Sequence, residues 1–460
     1  MTTHAKNEYS DILHIGFDDT DSRSSRCTTH LAFKITDYLL KLEGHFIDYP
    51  LLIRLNPNVP WKTRGNGAIC LRIKAKNHER IVGDVKRAVE EESEIGSGAN
   101  PGVAFFSGEN LPNSLRELSR LAMFDIVSLY QAEKIARQEF VRYFTFGNGQ
   151  GLVGSLAAIG CLLFGDHTFE AIAYRRLENC GMSRVVDVSR VIEYSKATFP
   201  NTFNNYDEKN RRVLITPHGP DPVFCGIRGE NPEVVVSSLK GLQIEEELDG
   251  YMVFRSNQGT NMHLQNALRL EEIKGFTAGY LVCKISKKPD VIRGGHVFFE
   301  VQDCNGIRCP AAVYEPTGLG ALALNLDLGD IVKIGCSVRS STSNFPKILN
   351  IEYIFLLRLN ERFSLFNPLC IHCGKRMKSE GRCKGFQCKK CGFKDAAGKR
   401  MCVIQKRNIL RGLYVPTPKA HRHLTKPIQR YGIEKMPLQI HGQIELFSEW
   451  FYTSSNSKRL

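Results

Sequence analysis

The chain has 460 residues, 42% of them apolar, enough to bury several cores, so two to four domains are expected. No apolar run approaches the ~20 residues that span a bilayer, and the polar start 1–11 holds no signal-peptide segment, so a soluble, cytoplasmic protein is expected. The net charge of +14 sits in one place: residues 366–432 hold 17 Lys+Arg against Glu380 and Asp395, which leaves 45 bases and 46 acids elsewhere and excludes a uniformly basic chain.

The apolar run 12–17 reads as a buried strand that ends in Asp18-Asp19-Thr20-Asp21-Ser22. A helix is expected from about Cys27, with Leu31, Ile35, Tyr38, Leu39 and Leu42 at helical spacing. Strand, polar loop and helix open an α/β or α+β domain. Asp18, Asp19 and Asp21 put three carboxylates within four residues, and these repel unless a cation neutralises them. A hard divalent ion such as magnesium does so and bridges nucleotide phosphates; Asp18 and Asp19 are its candidate ligands. A solvated acidic turn is the competing reading. The hydroxyls of Ser22, Ser24, Ser25, Thr28 and Thr29 beside a helix start favour the metal or phosphate site.

Arg54-Leu55-Asn56-Pro57 comes next, then Lys62-Thr63-Arg64-Gly65-Asn66-Gly67. Arg54, Lys62 and Arg64, beside Gly65 and Gly67, offer cations and bare backbone N–H groups to a polyphosphate or an RNA phosphate; an ordinary basic loop is the alternative. A strand near 68–73 precedes a helix marked by Ile81, Val85 and Val89, and a loop at 96–102 follows. Gly147-Asn148-Gly149-Gln150-Gly151 leads into a helix over 152–163, which is weak evidence alone because glycines also serve tight turns. Polar stretches at 201–212 and 217–222 read as further functional loops.

From about 278 the pattern changes to short strands, at 280–285, 297–302, 307–314, 331–338 and 348–357. Five such strands predict a small barrel of the OB type, or else a piece of a β-sandwich. Most of the 15 cysteines stand singly in apolar stretches, as Cys70, Cys161 and Cys283 do, which fits a reducing compartment. The exception is Cys370-x2-Cys373 and Cys388-x2-Cys391, with 14 residues between the pairs and Gly374 and Gly392 just after them. Four thiolates at that spacing suit a closed, structural zinc site in a ribbon. The positive charge around them is the electrostatic footprint of nucleic-acid binding. A tail with Trp450, Phe451 and Tyr452 follows.

Together these motifs resemble the archaeal agmatidine synthase family, the tRNA(isoleucine) 2-agmatinylcytidine synthetases known as TiaS. The resemblance rests on 16–22 (Gly-Phe-Asp-Asp-Thr-Asp-Ser), Cys27-Thr28-Thr29, Arg54-Leu55-Asn56-Pro57, 62–67, 151–160, Gly226-Ile227-Arg228-Gly229, Asn257-Gln258-Gly259-Thr260 and the zinc ribbon. It covers about 12–432; residues 23–26 depart from the family's Gly-containing loop. It implies a multidomain α+β fold: a kinase-like α/β catalytic domain at 10–125 and a ferredoxin-like domain at 126–235. A connecting segment at 236–270, which returns to the core in one version, an OB-fold barrel at 275–358, a zinc ribbon with its basic stretch at 366–432 and a tail at 433–460 complete it.

The implied activity is attachment of agmatine to the 2-oxo carbon of the wobble cytidine of an isoleucine tRNA with a CAU anticodon. The modified tRNA reads AUA instead of AUG. ATP with magnesium activates the 2-oxo oxygen as a phosphate ester, and AMP is the nucleotide product. The resemblance makes Asp18, Asp19 and Asp21 the catalytic aspartates and Thr28 the autophosphorylated threonine. Agmatine is a dication, so its pocket should hold carboxylates, and Asp207 and Asp221 are candidates. Two other readings stand beside this one. A non-catalytic OB-fold/zinc-ribbon nucleic-acid binder gains nothing from the aspartates, and a kinase for another substrate gains nothing from the basic module.

Overall fold

The strand Ile12–Asp18 takes its place inside a mixed sheet, with apolar Leu13, Ile15 and Phe17 on one face and the small Gly16 on the other, and it is buried on both. From edge to edge the strands run Arg142–Thr145, Gly102–Ser107, Ile12–Asp18, Gly67–Lys74, Leu51–Arg54, Leu248–Ser256, Thr168–Arg175, Val223–Gly229 and Thr202–Phe203. This architecture comes from a computed structural model that describes residues 11–22, 26–63, 65–343, 346–437 and 444–454; Ser24, Ser25 and Arg64 lie outside them. Alternation along the strands separates two cores. Ile69, Leu71 and Ile73 face the helices Thr28–Lys41 and His78–Glu92, while Ala68 and Cys70 face Asn113–Phe124 and Gly151–Gly160.

One parallel pairing joins the two halves of the sheet. Leu248–Ser256 runs beside Leu51–Arg54, with Arg255 opposite Leu51 and Ser256 opposite Leu52. The segment 236–270 thus returns to the first half, and 10–125 and 126–235 share one continuous sheet. The wholly buried helix Gly151–Gly160 also crosses back, packing on Ile12–Asp18. Gly16 permits this: a Cβ there would lie 2.2 Å from Ser155 O. Arg72 Nη2 donates to Cys161 O (3.2 Å) and Arg255 Nη1 to Leu163 O (2.9 Å), and both arginines pair with Asp48. Two cations at a helix C-terminus suit its partial negative charge.

The five predicted strands are present as Ala278–Val291, Val297–Gln302, Arg308–Val313, Ile331–Arg339 and Ile348–Arg358. Arg308–Val313 pairs in parallel with Ile348–Arg358, through Ala311 opposite Leu349, so the sheet closes on itself and a sandwich piece is excluded. Beyond it the antiparallel pair Arg362–Phe366 and Met401–Gln405 carries a three-stranded ribbon, Lys378–Ser379, Phe386–Gln387 and Lys394–Asp395. No helix among the described residues is long and apolar enough to cross a membrane.

The expectation of one positively charged module over 366–432 is corrected. Gly412–Tyr414 joins the barrel as a further strand, and the segment 416–435 leaves the ribbon and straps the large sheet. Arg430 is fully buried there, donating to Glu230 (2.5 Å), Asp166 (2.8 Å) and Gly259 O (2.6 Å). Lys426 pairs with Glu434. These cations neutralise the protein's own acids. The tail docks too: Phe451–Thr453 pairs with Leu248–Ser256, with Gly250 opposite Thr453. Gly250, at φ +155°, leaves room for the backbone, since a Cβ would lie 2.0 Å from Tyr452 O.

Candidate active site

A cavity of about 390 Å3 opens where the aspartate loop of the first half faces the strands of the second. Its walls bring together Asp18, Asp19, Asp21, Thr28, Arg54, Lys62, Gly65, Gly67 and Asp221 from the sequence-derived candidates. Asp207 is not among them. It lies buried, accepting from Asn210 N (3.0 Å), Asn210 Nδ2 (2.9 Å) and Lys419 N (3.2 Å), bonds that hold its own turn to the strap.

The carboxylates are held tightly. Asp18 ends its strand and accepts from Asp19 N at 2.8 Å. Asp19 takes the left-handed conformation at φ +57°, the kind of backbone strain found at functional sites. Gly154 faces Asp18 so closely that a Cβ would fall 1.8 Å from Asp18 Oδ2. Asp21 accepts from Thr63 Oγ1 (3.2 Å), and Thr28, first residue of its helix, accepts from Thr20 Oγ1 (3.1 Å). Burial and then the Asp19 charge push the Asp18 carboxyl up to about 8; burial and then Asp21 push Asp19 up to about 6. Such crowded carboxylates, beside a threonine hydroxyl, form an all-oxygen donor set that fits a hard divalent cation.

The opposite wall is a buried polar ring. Glu170 accepts from Arg228 Nε (2.9 Å) and from Gln258 Nε2, and lies 4.0 Å from Arg54 Nη2. The sheet register sets this up, because Glu170 and Arg228 are paired across adjacent strands. Gly226 spares Glu170 a clash, since a Cβ there would lie 2.7 Å from Oε1. His423 reaches in from the strap. Burial, then Arg54 and Arg228, hold its imidazole well below the usual range, so it is neutral. Its Nδ1 lies 3.1 Å from Gln258 Oε1 and 3.4 Å from Arg228 Nη2: carrying the proton it donates to the first, and bare it accepts from the second.

Gly65 and Gly67 line the cavity and also make room for its neighbours. Cβ atoms there would lie 2.7 and 2.8 Å from Arg54 Nη1, and the one at Gly65 would also lie 2.7 Å from His423 Nε2. Their bareness admits the Arg54 guanidinium and the strap. Burial and then Arg422 lower the Lys62 ammonium. Asp221 is buried beside Arg184 Nη2 (3.4 Å) and accepts from Val223 N (3.1 Å). The loops 96–102 and 147–151 meet through Asn100, which bonds Asp19 and whose Oδ1 accepts from Asn148 N (3.0 Å).

Four residues of the site escaped the element-by-element reading. Arg228 and Gln258 lie within motifs that carry the family resemblance, which was the available signal. Glu170 and His423 carried none: one is a lone acid in a strand, the other is hidden in a basic stretch.

The four cysteine Sγ atoms of the ribbon lie within 4.8 Å of one another. Gly374 and Gly392 take positive φ, and their N–H groups donate back to Cys370 O (2.8 Å) and Cys388 O (2.9 Å), forming the expected knuckles. The geometry fits tetrahedral zinc.

The family model described as the TiaS TCKD domain matches residues 14–89, the TiaS FLD domain 149–263 and the TiaS C-terminal zinc ribbon domain 367–409. Over 91% of its length the chain is 41% identical to the isoleucine-tRNA 2-agmatinylcytidine synthetase TiaS of Cenarchaeum symbiosum (strain A), covering 93% of that protein. The chain belongs to the TiaS family. Solved TiaS structures share its fold. The complex of TiaS with its isoleucine tRNA and ATP matches at a TM-score of 0.81 and 33% identity, over 94% of this chain and 99% of that one. The complex of TiaS with the same tRNA, AMPCPP and agmatine matches at 0.78 and 30%, over 94% and 99%.

Proposed function

We propose that the chain uses ATP to attach agmatine to the 2-oxo carbon of the wobble cytidine of an isoleucine tRNA with a CAU anticodon, forming agmatidine. The observation that carries this is the meeting of the three aspartates, Thr28 and Arg54 in one cavity of a chain related to TiaS over nearly its whole length. The cytidine 2-oxo oxygen is a poor leaving group. Its phosphorylation at the expense of ATP, with AMP as the nucleotide product, makes it a good one, and the primary amine of agmatine then attacks C2 as phosphate departs.

Phosphoryl transfer asks for positioning and charge neutralisation more than covalent machinery. Arg54 and Lys62 face the polyphosphate, with Arg64 in the same loop, and the ring of Glu170, Arg228, Gln258 and neutral His423 holds Arg54 in place. Magnesium, held by Asp18 and Asp19, supplies the remaining charge neutralisation when bound. Asp21 positions the loop through Thr63, and Thr28 is the residue that autophosphorylates. Asp221 is the cavity carboxylate for one of the cationic groups of agmatine; Asp207, which the strap occupies, keeps at most a supporting part.

The domain reading goes with this one: a kinase-like part at 10–125, a ferredoxin-like part at 126–235 with 236–270 closing the sheet, an OB-type barrel at 275–358, a zinc-holding ribbon within 366–432 and a tail at 433–460, in a cytoplasmic enzyme. Incubation with tRNA, ATP and radiolabelled agmatine, followed by mass spectrometry of the wobble nucleoside, tests the function. Agmatidine at that position supports it; an unmodified cytidine with ATP consumed refutes it.

A further inference from the structure

Of the two tryptophans in the chain, one is a core residue and the other is not. Trp450 is 8% exposed and packs near Phe46, Tyr49 and Phe451. Trp61 is 53% exposed on the rim of the catalytic cavity. No ring stacking, cation–π contact or hydrogen bond joins its indole to another described residue.

The loop that carries Trp61 is anchored on both sides. Asn56, fully buried, donates to Phe276 O (2.9 Å) and accepts from Asn58 N (3.0 Å), and its carbonyl accepts from Asn66 Nδ2 (2.7 Å). Arg422 of the strap donates to Asn58 Oδ1 (2.7 Å), and Thr63 holds Asp21. The indole is therefore presented on a fixed frame. Lys62 is next in sequence, and Arg422 is close enough to add to the effect of burial in lowering its ammonium. An open aromatic face at the mouth of a cavity, with Lys62 next in sequence and Arg422 near that lysine and 3.7 Å from Glu352, matches the stacking platforms by which proteins grip single-stranded nucleic acid. A base drawn out of an anticodon stack also bares the face of its neighbour.

We propose that Trp61 is the platform on which one anticodon nucleobase of the RNA substrate stacks, with Lys62 and Arg422 meeting the flanking phosphates; this rests on the functional reading above. The tests use the full chain and a CAU-anticodon tRNA transcript. Binding quenches tryptophan emission in the wild type, and the Trp61→Phe variant loses that quench. An abasic nucleotide at one of the three anticodon positions removes the quench. Trp61→Ala raises the KM for tRNA by about 10-fold or more, since stacking on an aromatic ring is worth a factor of that order per base. The fall in kcat is smaller and Tm holds, whereas Trp61→Phe recovers most of the affinity.

Quenching by agmatine alone would make the indole a cation-binding face and overturn the proposal. So would quenching that survives all three abasic substitutions, or Trp61→Ala binding tRNA as tightly as the wild type in a chain that modifies it. A wild-type chain that binds no tRNA overturns the functional reading and this one together.

Discussion

Gly154 measures how little room there is around Asp18. A methyl group there would overlap the carboxylate, so Gly154→Ala should displace it and lower ATP consumption by about 10-fold or more, since small misplacements are expensive in a catalytic site. Circular dichroism should still report a folded chain. Asp18→Ala should abolish ATP consumption and leave tRNA affinity within a few-fold; substantial turnover in that variant would sink the active-site assignment. Asp221→Asn should raise the KM for agmatine while Asp207→Asn leaves it near wild type, because only Asp221 faces the cavity. The aspartates were legible in the sequence because like charges at a strand end demand an explanation. Glu170 was not, since its meaning comes from Arg228 and Gln258, 58 and 88 residues away, brought beside it by strand pairing.

The strap and the ribbon divide a segment that looks uniform in sequence. Charge density is a property of composition and does not say which cations face solvent. Arg430 is enclosed by Glu230 and Asp166, so Arg430→Ala should leave these acids only the longer contacts to Lys435 (3.5 Å) and Lys426 (3.7 Å) and destabilise the chain by about 3 kcal/mol. A lowered Tm with loss of ATP consumption would show that the strap supports the cavity through His423. Replacing Cys370 and Cys373 by Ser should release zinc, measurable by metal analysis, and weaken tRNA binding while Thr28 phosphorylation persists, since the ribbon stands apart from the large sheet. Undiminished tRNA binding by the demetallated ribbon would count against a gripping role. The barrel strands were legible because alternation shows wherever one face is buried. The closing pair at Ala311 and Leu349 was not, because register between distant strands leaves no local mark.

For the molecule as a whole, the joined sheet buries ionisable groups that respond to pH. His14, His30 and His167 are each pushed down to about 3, chiefly by burial and then by Arg72, Lys34 and Arg255 respectively. The unfolded chain takes up these protons first, near the ordinary histidine value of about 6.5. Their contribution to stability is therefore complete above that pH and is lost as pH falls toward 3, on the order of 1 kcal/mol per pH unit for each. Asp18 and Asp19, raised by burial, act in the opposite sense as pH rises from about 4. Substitution isolates one group: His14→Gln should flatten the pH dependence of the urea midpoint between pH 6.5 and 4.5. An unchanged slope would mean that His14 does not stay neutral in the fold.

The docking of residues 444–454 bears on how the chain comes off the ribosome. Phe447 N donates to Tyr49 Oη across 398 residues of sequence, and residues 451–453 are the pairing partner of Gly250, Tyr251 and Met252. Until they emerge, part of a sheet strand stands with open hydrogen-bonding groups beside uncovered Phe46 and Tyr49. A nascent or prematurely terminated chain would expose that edge to other chains, the situation in which strands join between molecules. Synthesis of residues 444–454 is thus what protects the growing protein from self-association, and a chain truncated before Trp450 should accumulate in the insoluble fraction.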